Sequence, residues 1–207
     1  KKARLIHEKL GVQSVGELEY ACKENRLLEL PGFGAKTQAK ILAGIESLRR
    51  FQGRTLISEA LPAAEEIAAY LAKVPGVTAV AVAGSIRRRR ETVGDVDIVA
   101  GGEEHAPVMQ AVTAMPSVLS VIAQGPTKTS VTLRSGLNVD VRLVTPAQYP
   151  SALHHFTGSK EHNVALRGLA REMGLKISEY GVERLDGSVV LVEDEAALYR
   201  LLGLDYI

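Results

Sequence analysis

The first quarter of the chain shows the hydrophobic spacing of helices and no strand pattern. Ser14, followed three positions later by Glu17, forms a capping box, so we predict that a helix begins there. Leu-Pro-Gly-Phe-Gly at 30–34 predicts a turn, and Gly53 suggests a boundary. Between them the spacing predicts a helix over about 35–50, with a buried stripe made of Ile41, Leu42, Ile45 and Leu48.

The pattern changes to strands after a further helix, which is predicted over 58–72. Short apolar, β-branched runs then alternate with glycine and proline. They predict strands over 77–83, 96–100, 118–123, 128–134 and 138–144, with a helix over 103–115. This order favours a mixed sheet with helices packed on it.

Helical spacing returns beyond Pro146. It predicts helices over 147–156, 161–173 and 193–202, and a short strand over 189–192 that follows hairpin-type turn residues at 185–188. We therefore expect an α+β protein in three parts, which cover residues 1–52, 53–145 and 146–207.

Composition narrows the class of protein. The 207 residues include 25 basic and 24 acidic side chains, which give a net charge of +1, and 46% of them are hydrophobic. These values exclude wholesale disorder and a uniformly basic coat for nucleic acid, while a local basic patch stays compatible with them. A single cysteine, Cys22, excludes an intramolecular disulfide framework.

The sequence shows no secretory signal, and its longest uncharged stretch is interrupted by Pro107 and Pro116. We therefore expect a cytoplasmic protein with no membrane partner. The chain has no initiator methionine and opens inside a helical pattern, so we also expect it to be a piece of a longer protein.

Two carboxylates lie two positions apart in the stretch Gly-Asp-Val-Asp-Ile-Val at 94–99. Because residues i and i+2 of a strand face the same side, Asp95 and Asp97 are expected to project together. Adjacent carboxylates repel each other unless a cation neutralises them, and hard oxygen ligands suit Mg²⁺ or Mn²⁺. A solvated strand edge can carry the same Asp-x-Asp pair, and this alternative stays open.

A third carboxylate, Asp140, lies in Asn-Val-Asp-Val-Arg at 138–142, where polar and apolar residues also alternate. If its strand neighbours the strand that carries Asp97, the three carboxylates can come together. Such a group could hold the two metal ions that support in-line phosphoryl displacement.

Upstream of the carboxylates an apolar strand ends in Gly84-Ser85, where backbone N–H groups and a hydroxyl can approach a phosphate. Four arginines follow at 87–90, and arginine suits phosphate recognition. Each feature alone also fits an ordinary turn or a solvated basic run. In combination these features resemble the signature of the nucleotidyltransferase superfamily. That signature is an apolar strand that ends in Gly-Ser, a nine-residue spacer and Asp-x-Asp on a second strand.

Within that superfamily, the stretches 83–88 and 94–97 resemble the palm of the family X DNA polymerases, the group that contains polymerase beta. The stretch His-Phe-Thr-Gly-Ser-Lys-Glu-His-Asn at 155–163 resembles the start of that family's thumb, in a form closest to bacterial members. The resemblance implies a nucleotidyltransferase palm with a mixed sheet, preceded by helix-hairpin-helix fingers and followed by a mainly helical thumb. We recognise neither the N-terminal lyase-type module nor the C-terminal phosphoesterase module of family members in these 207 residues.

The resemblance also implies roles for the matching positions. Asp95 and Asp97 would ligate both of two Mg²⁺ or Mn²⁺ ions, and Asp140 the catalytic one. The residues implied to bind the nucleotide are Gly84, Ser85, Arg88, His155, Phe156, Gly158, Ser159, Lys160 and Asn163. Those implied to contact DNA in the palm and thumb are Arg142 and Arg167.

Two positions depart from polymerase beta, which has a tyrosine in place of His155 and an aspartate in place of Lys160. By analogy with the family, the Gly158–Ser159 peptide is expected to be cis. No cysteine lies near the histidines of this region, so for His154 and His162 we expect hydrogen bonding or a solvent role rather than zinc ligation.

The turn at 30–37 resembles the hairpin of a helix-hairpin-helix element. Gly32 and Gly34 would allow the tight turn that aims N–H groups of the next helix at a DNA phosphate, and Lys36 adds charge. An ordinary turn between helices is the alternative, and the neighbouring palm pattern favours DNA.

The function implied by the resemblance is that of a DNA-directed DNA polymerase, which adds dNMP to a primer 3′-hydroxyl and releases pyrophosphate in gap-filling repair. Its partners would be primer-template or gapped DNA and a dNTP, and its location would be the nucleoid. Two alternatives stay open, a nucleotidyltransferase that acts on another acceptor and a non-catalytic DNA-binding core.

Overall fold

Two units, which divide between Arg54 and Thr55, make up the computed structural model of this chain. The structure describes residues 2–206, apart from the side chains of 46–52. Leu48, the last residue of the predicted apolar stripe, therefore lies outside the described side chains. The three-part division of the chain stays a prediction.

The first unit is helical, as its hydrophobic spacing predicted. Its elements are α1 (Lys2–Leu10), α2 (Val15–Lys23), a turn of 3-10 helix (Arg26–Glu29) and α3 (Ala35–Gln52). Its core is made of Ile6, Ala21, Cys22, Leu27, Leu30 and Phe33.

The predicted capping box starts α2. The Ser14 hydroxyl accepts a hydrogen bond from the N–H of Glu17 at 3.2 Å. The Glu17 carboxylate in turn accepts from the N–H of Gln13 at 2.7 Å, one residue before the cap. Both contacts satisfy backbone donors that a helix start leaves free.

In the second unit strands and helices alternate. Its elements in chain order are β1 (Thr55–Leu56), α4 (Ile57–Leu71), β2 (Val77–Val82), α5 (Gly84–Arg87), β3 (Thr92–Val93), β4 (Val96–Gly102), α6 (His105–Ala114), β5 (Val118–Gln124), β6 (Lys128–Leu133), β7 (Asn138–Val144), α7 (Tyr149–Thr157), α8 (Lys160–Glu172), β8 (Leu175–Ser178), β9 (Gly181–Arg184), β10 (Val189–Val190) and α9 (Glu195–Leu201). The described part of this unit confirms the α+β class and every strand predicted between 77 and 144.

The main sheet of the second unit has the strand order β2-β4-β7-β6-β5. Only the β4–β7 pair is parallel among these strands, and the other pairs are antiparallel. Because side chains alternate along a strand, Val96 and Ile98 of β4 join the core that α4 and α6 cover. Val99 lies on the opposite face, in the cluster that contains Ala152 and Leu153 of α7. Asp97 therefore shares the α7 face of the sheet.

The C-terminal part holds more strand than its sequence pattern predicted. The strands β10, β9 and β8 form an antiparallel sheet in that order, and it packs on α8 and α9 through a core that includes Leu166, Ala170, Ile177, Val182 and Leu198. Neither β8 nor β9 was predicted. Each has only four residues, so the alternation of Leu175 and Ile177 with polar residues in β8 is too short to distinguish a strand from a loop. The predicted turn at 185–188 is confirmed, since it joins β9 to β10, although β10 ends at Val190 rather than at 192.

No helix in the described part of the chain is long and apolar enough to cross a bilayer.

Candidate active site

Parallel pairing of β4 with β7 brings two of the predicted carboxylates together. In this register Asp97 is the direct neighbour of Asp140. The grouping of three carboxylates required β4 and β7 to be neighbours, and the structure confirms that they are.

Asp95 lies just outside the strand that carries Asp97. The strand β4 begins at Val96, as predicted, so Asp95 lies in the bend before it and is exposed to solvent. That the two carboxylates project together stays a prediction. Its charge still acts on Asp97. We call Asp95, Asp97 and Asp140 the carboxylate edge.

Burial and repulsion both act on Asp97. Burial is the largest cause that raises the pKa of this carboxyl, and the charges of Asp95 and Asp140 raise it further, to about 6 from an ordinary 3.8. Arg142 and Lys128 oppose this shift with their positive charges. Asp97 thus holds its negative charge at a cost that a bound cation would relieve.

The Gly84-Ser85 turn lies directly against Asp97. Gly84 has a φ of +60°, and a Cβ placed on it would lie 2.1 Å from Oδ2 of Asp97. The N–H of the preceding residue, Ala83, donates to the backbone oxygen of Asp97 at 2.8 Å. Glycine is therefore required at 84 by both conformation and space, and Ser85 begins its helical turn beside the carboxylate edge.

Two side chains of β6, which sequence reasoning missed, occupy both oxygens of Asp140. Lys128 Nζ lies 2.7 Å from Oδ2, and the Ser130 hydroxyl donates to Oδ1 at 2.6 Å. Burial raises the pKa of Asp140, but these contacts and the charges of Lys128 and Arg142 together lower it below its ordinary value. The available signal was the spacing of Lys128 and Ser130, since two residues that alternate on a strand paired with β7 face the same side as Asp140.

The carboxylate edge fits a hard divalent cation in the chemistry of its donors. The negative charges of Asp95 and Asp140 both act on Asp97, and they raise its pKa together with burial. Within residues 2–206, however, no group of three His, Cys, Asp or Glu side chains is arranged to hold a metal ion. Both oxygens of Asp140 have partners in Lys128 and Ser130.

A second cluster of predicted residues lies where α7 ends and α8 begins, and we call residues 155–163 the α7–α8 turn. The Gly158–Ser159 peptide is cis, as the family resemblance implied. Arg88 donates to the backbone oxygen of Thr157. A Cβ placed on Gly158 would lie 3.1 Å from the Arg88 guanidinium. Ser159 caps α8 by accepting from the N–H of His162 at 3.3 Å.

Asn163 of this turn and Arg167 of α8 both contact His155. Asn163 Nδ2 donates to the backbone oxygen of His155 at 2.7 Å, and Arg167 Nη2 lies 2.8 Å from His155 Nδ1. Arginine can only donate, so Nδ1 is the acceptor and the ring is neutral in this contact. Burial is the main cause that lowers the pKa of His155. Lys160, by contrast, is exposed at the start of α8.

Phe156 and Arg142 pack together between the two clusters. The guanidinium carbon of Arg142 lies 4.1 Å from the centre of the Phe156 ring, and Arg142 Nη2 lies 3.9 Å from Asp140 Oδ2. Among the described residues Arg142 Nε has no hydrogen-bond partner. The predicted DNA contact of Arg142 stays a prediction.

Arg87, which carried no role in the sequence analysis, links three elements. Its guanidinium donates to both carboxylate oxygens of Glu195 on α9, at 2.7 and 2.6 Å, and to the Thr157 hydroxyl of α7 at 2.7 Å. The helical turn α5 is thus tied to the residue that precedes the cis peptide.

Of the two other histidines, His162 makes a hydrogen bond of the kind expected for it, whereas His154 is buried. Burial lowers the pKa of His154 to about 4, with further lowering by the charge of His162. With this pKa, His154 is neutral near pH 7. His162 Nε2 lies 2.7 Å from the Tyr199 hydroxyl.

In the first unit the predicted hairpin has the expected backbone. Gly32 has a φ of +78°, and the oxygen of Gly34 accepts from the N–H groups of Thr37 and Gln38 at 2.9 and 3.1 Å as α3 begins. Lys36 is exposed in that first helical turn. DNA contact by this hairpin stays a prediction.

Sequence comparison gives relatives for the whole chain. The family model described as DNA polymerase beta thumb matches residues 152–207. Over 210 aligned residues the chain is 40% identical to the DNA polymerase/3'-5' exonuclease PolX of Bacillus subtilis (strain 168), an alignment that covers 100% of this chain and 37% of that protein. It is 26% identical to DNA polymerase lambda of Rattus norvegicus, over 64% of this chain and 28% of that protein. The chain thus spans roughly a third of the length of these relatives.

Structure comparison shows the same fold. The ternary P/T complex of Leishmania infantum polymerase beta superposes with a TM-score of 0.66 at 20% identity, covering 99% of this chain and 90% of that one. The ternary gap complex of the same protein gives a TM-score of 0.66 over 98% of this chain and 81% of that one.

Proposed function

We propose that the chain belongs to the family X DNA polymerases and is a nucleotidyl-transferring core that adds a deoxynucleotide to a primer 3′-hydroxyl. The observation that carries this proposal is the register that sets Asp97 beside Asp140, with Gly84 in contact with Asp97. This arrangement puts carboxylates, a Gly-Ser turn and arginines within one small region. Such a region suits the transfer of a phosphoryl group from a triphosphate.

Asp95, Asp97 and Asp140 would hold two Mg²⁺ or Mn²⁺ ions. When bound, the two ions lower the pKa of the attacking hydroxyl and stabilise the charge on the leaving pyrophosphate. Asp97 contributes a buried carboxylate whose charge is already disfavoured by its neighbours. Asp140 contributes a carboxylate that is kept ionised by hydrogen bonds from Lys128 and Ser130.

The nucleotide would lie between the Gly84-Ser85 turn and the α7–α8 turn. Ser85 and Arg88 would donate to the triphosphate, and Arg88 already reaches from α5 to Thr157. His155, Phe156 and Gly158 would line the sugar, with Ser159 and Lys160 at the start of the helix beyond it. Asn163 would contact the base edge, and its Oδ1 has no hydrogen-bond partner among the described residues.

DNA would be bound by both units. In the first unit, Lys36 and the glycines of the hairpin would contact backbone phosphates without reading sequence. In the second, Arg167 would contact the template strand. A primed or gapped duplex is the DNA that this reaction needs, and gap-filling repair at the bacterial nucleoid is the task that we assign to it.

Single-nucleotide extension of a gapped primer, with Mg²⁺ and with Mn²⁺, tests the proposed reaction. The Asp140→Ala variant should lose incorporation and keep its affinity for gapped DNA, because its carboxylate serves the chemical step. RNA and small-molecule acceptors belong in the same assay, since extension of those alone would assign the chain to another nucleotidyltransferase class. DNA binding without any metal-dependent incorporation would show a non-catalytic core.

The hairpin is tested separately through the affinity for duplex DNA. Lys36→Ala should weaken binding similarly across DNA sequences and lower the salt dependence by about one counterion. Fluorescence anisotropy at several salt concentrations measures both effects. A loss confined to one DNA sequence would contradict phosphate contact.

A further inference from the structure

The contacts of Asp140 point to a role for Lys128 that is separate from binding any substrate. We propose that Lys128 is an internal counter-ion of the carboxylate edge, which holds Asp140 until a divalent cation displaces it. Its charge thereby lowers the affinity of the edge for metal. The inference rests on the proposed function, since it concerns the metal site of that reaction.

The first observation is that Lys128 contacts one of the two Asp140 oxygens that could bind a metal. Its Nζ lies 2.7 Å from Asp140 Oδ2, while Ser130 donates to Oδ1 at 2.6 Å. Mg²⁺ binds carboxylate oxygen at roughly 2.1 Å, so an ammonium left in hydrogen-bond contact with Oδ2 would lie only a few ångströms from the ion. The repulsion between these cations favours the departure of one of them.

The second observation is that Lys128, unlike Arg142, is free to leave. Arg142 has its guanidinium over Phe156 and is 3.9 Å from Asp140 Oδ2. The Lys128 side chain is 40% exposed and has no such stacking partner among the described residues. It lines an open cavity of about 180 Å³, whose wall also contains Arg142, Phe156 and Glu179. The ammonium can therefore swing from Asp140 into this cavity, where Glu179 supplies a negative charge.

The third observation concerns the strands. Lys128 and Ser130 both lie on β6, and Ser130 is the direct partner of Asp140 across the β6–β7 pair. Ser130 can keep its hydrogen bond to Oδ1 while metal binds, because a carboxylate oxygen has a second acceptor site. The two residues thus differ in function, since Ser130 orients Asp140 and Lys128 balances its charge.

Titration with Mn²⁺ alone tests the inference without any turnover. The full chain at pH 7.5, free of DNA and nucleotide, is titrated while the electron paramagnetic resonance signal reports free Mn²⁺. Lys128→Met should bind Mn²⁺ about tenfold more tightly than the unchanged chain, because one repelling charge has been removed. In the Asp140→Asn background the same substitution should change the affinity much less.

Two control variants separate this effect from others. Lys176→Met removes one charge from an exposed pair with Glu183, and should leave Mn²⁺ affinity unchanged. Ser130→Ala removes a neutral hydrogen bond at the same carboxylate, and should weaken Mn²⁺ binding rather than tighten it. If Lys128→Met does not fold, Lys128→Gln removes the same charge and keeps a polar end.

The outcomes distinguish the inference from the proposed function. Mn²⁺ binding that depends on Asp140 but is unchanged or weaker in Lys128→Met and Lys128→Gln would overturn the inference and leave the metal site intact. If neither the unchanged chain nor the Lys128 variants bind Mn²⁺ through Asp140, the inference and the proposed metal site are both overturned. A gain of Asp140-dependent affinity in the Lys128 variants supports both.

Discussion

Backbone pairing places the carboxylate edge, whereas side-chain contacts from distant elements hold the α7–α8 turn. Asp97 and Asp140 owe their proximity to the parallel register of β4 and β7. The turn depends on Arg88, which reaches the Thr157 carbonyl, and on Arg87, which binds both Thr157 and Glu195.

The two regions also differ in electrostatics. At the carboxylate edge like charges converge, and the pKa of Asp97 rises to about 6. At the turn, guanidinium groups are held by hydrogen bonds to a carbonyl oxygen, a neutral imidazole and one carboxylate, so positive charge predominates there. This contrast supports the proposed division of labour, in which the edge would bind cations for the chemical step and the turn would hold the nucleotide.

The largest effect on stability is expected from adding a methyl group at the carboxylate edge. Gly84→Ala should lower incorporation at least about 100-fold and destabilise the protein by about 2–3 kcal/mol, since its Cβ meets Asp97 in a left-handed conformation. Single-turnover extension and urea unfolding measure the two losses.

Gly136→Ala is the matched control for this substitution. Gly136 has a φ of +87°, and no described residue beyond its chain neighbours has an atom within 4 Å of where a Cβ would lie. The control therefore carries the backbone strain without the clash. Equal losses of activity in both variants would show that backbone strain alone matters.

The second effect is a dependence of stability on pH at the same edge. The pKa of Asp97 is raised in the folded protein, so its contribution to stability is full below about pH 3.8 and is lost as pH rises through about 6. With metal removed by EDTA, Asp97→Asn should therefore stabilise the protein by about 2 kcal/mol at pH 8 and have little effect at pH 4. Urea unfolding of the unchanged chain and of Asp97→Asn between pH 4 and pH 8 measures this change in stability. A stability difference between the two that does not vary with pH would contradict the electrostatic cause.

Asp140→Asn is the contrasting variant. Because hydrogen bonds lower the pKa of Asp140, its contribution to stability is present above about pH 3.8 and is lost as pH falls. This substitution should therefore destabilise the protein at neutral pH.

The α7–α8 turn should respond to the loss of its supporting ion pair. Glu195→Gln should destabilise the protein by about 1–2 kcal/mol, because it leaves the partly buried Arg87 guanidinium without its charged partner. Glu183→Gln breaks an exposed pair with Lys176 and should cost at most about 0.5 kcal/mol. Denaturant unfolding compares the two, and similar small losses would show that the Arg87 link does not support the turn.

The smallest effect is a pH dependence of stability at His154, near the α7–α8 turn. Its sign is opposite to that expected for Asp97. The pKa of His154 is lowered to about 4, so its contribution to stability is present above about pH 6.5 and is lost as pH falls toward 4. His154→Leu should flatten this acid-side loss, which amounts to about 1–2 kcal/mol at pH 5. The exposed His7 of the first unit provides the control substitution, His7→Leu. An unchanged acid limb in His154→Leu would assign the loss to other groups.

The carboxylate edge could be predicted from sequence because its geometry is periodic. Alternation along 96–100 and 138–144 indicates which face each aspartate takes, so Asp97 and Asp140 share a face once the two strands pair. The predicted start of β4 at Val96 is confirmed. The sequence left open that β4 pairs with β7, because two other strands lie between them in the chain.

The partners of the functional residues were not predictable in the same way. Arg87 and Glu195 are 108 positions apart, and their pairing depends on how α9 packs in the folded unit. Lys128 lies 12 positions from Asp140, but its role follows only from the antiparallel β6–β7 register. Long-range side-chain contacts of this kind leave no periodic pattern in the local sequence from which they could be predicted.

The division of labour is tested most directly by separating the rate of the chemical step from the affinity for the nucleotide. Single-turnover extension of a gapped primer at a series of dNTP concentrations gives both values for the unchanged chain, Asp97→Asn and Asn163→Ala. The account predicts that Asp97→Asn lowers the maximal rate by about 1,000-fold or more, since charge stabilisation in the transition state is lost. It predicts that Asn163→Ala raises the Kd of the dNTP about tenfold and changes the maximal rate only a few-fold. A maximal rate that survives in Asp97→Asn, or one that collapses in Asn163→Ala at unchanged Kd, would contradict it.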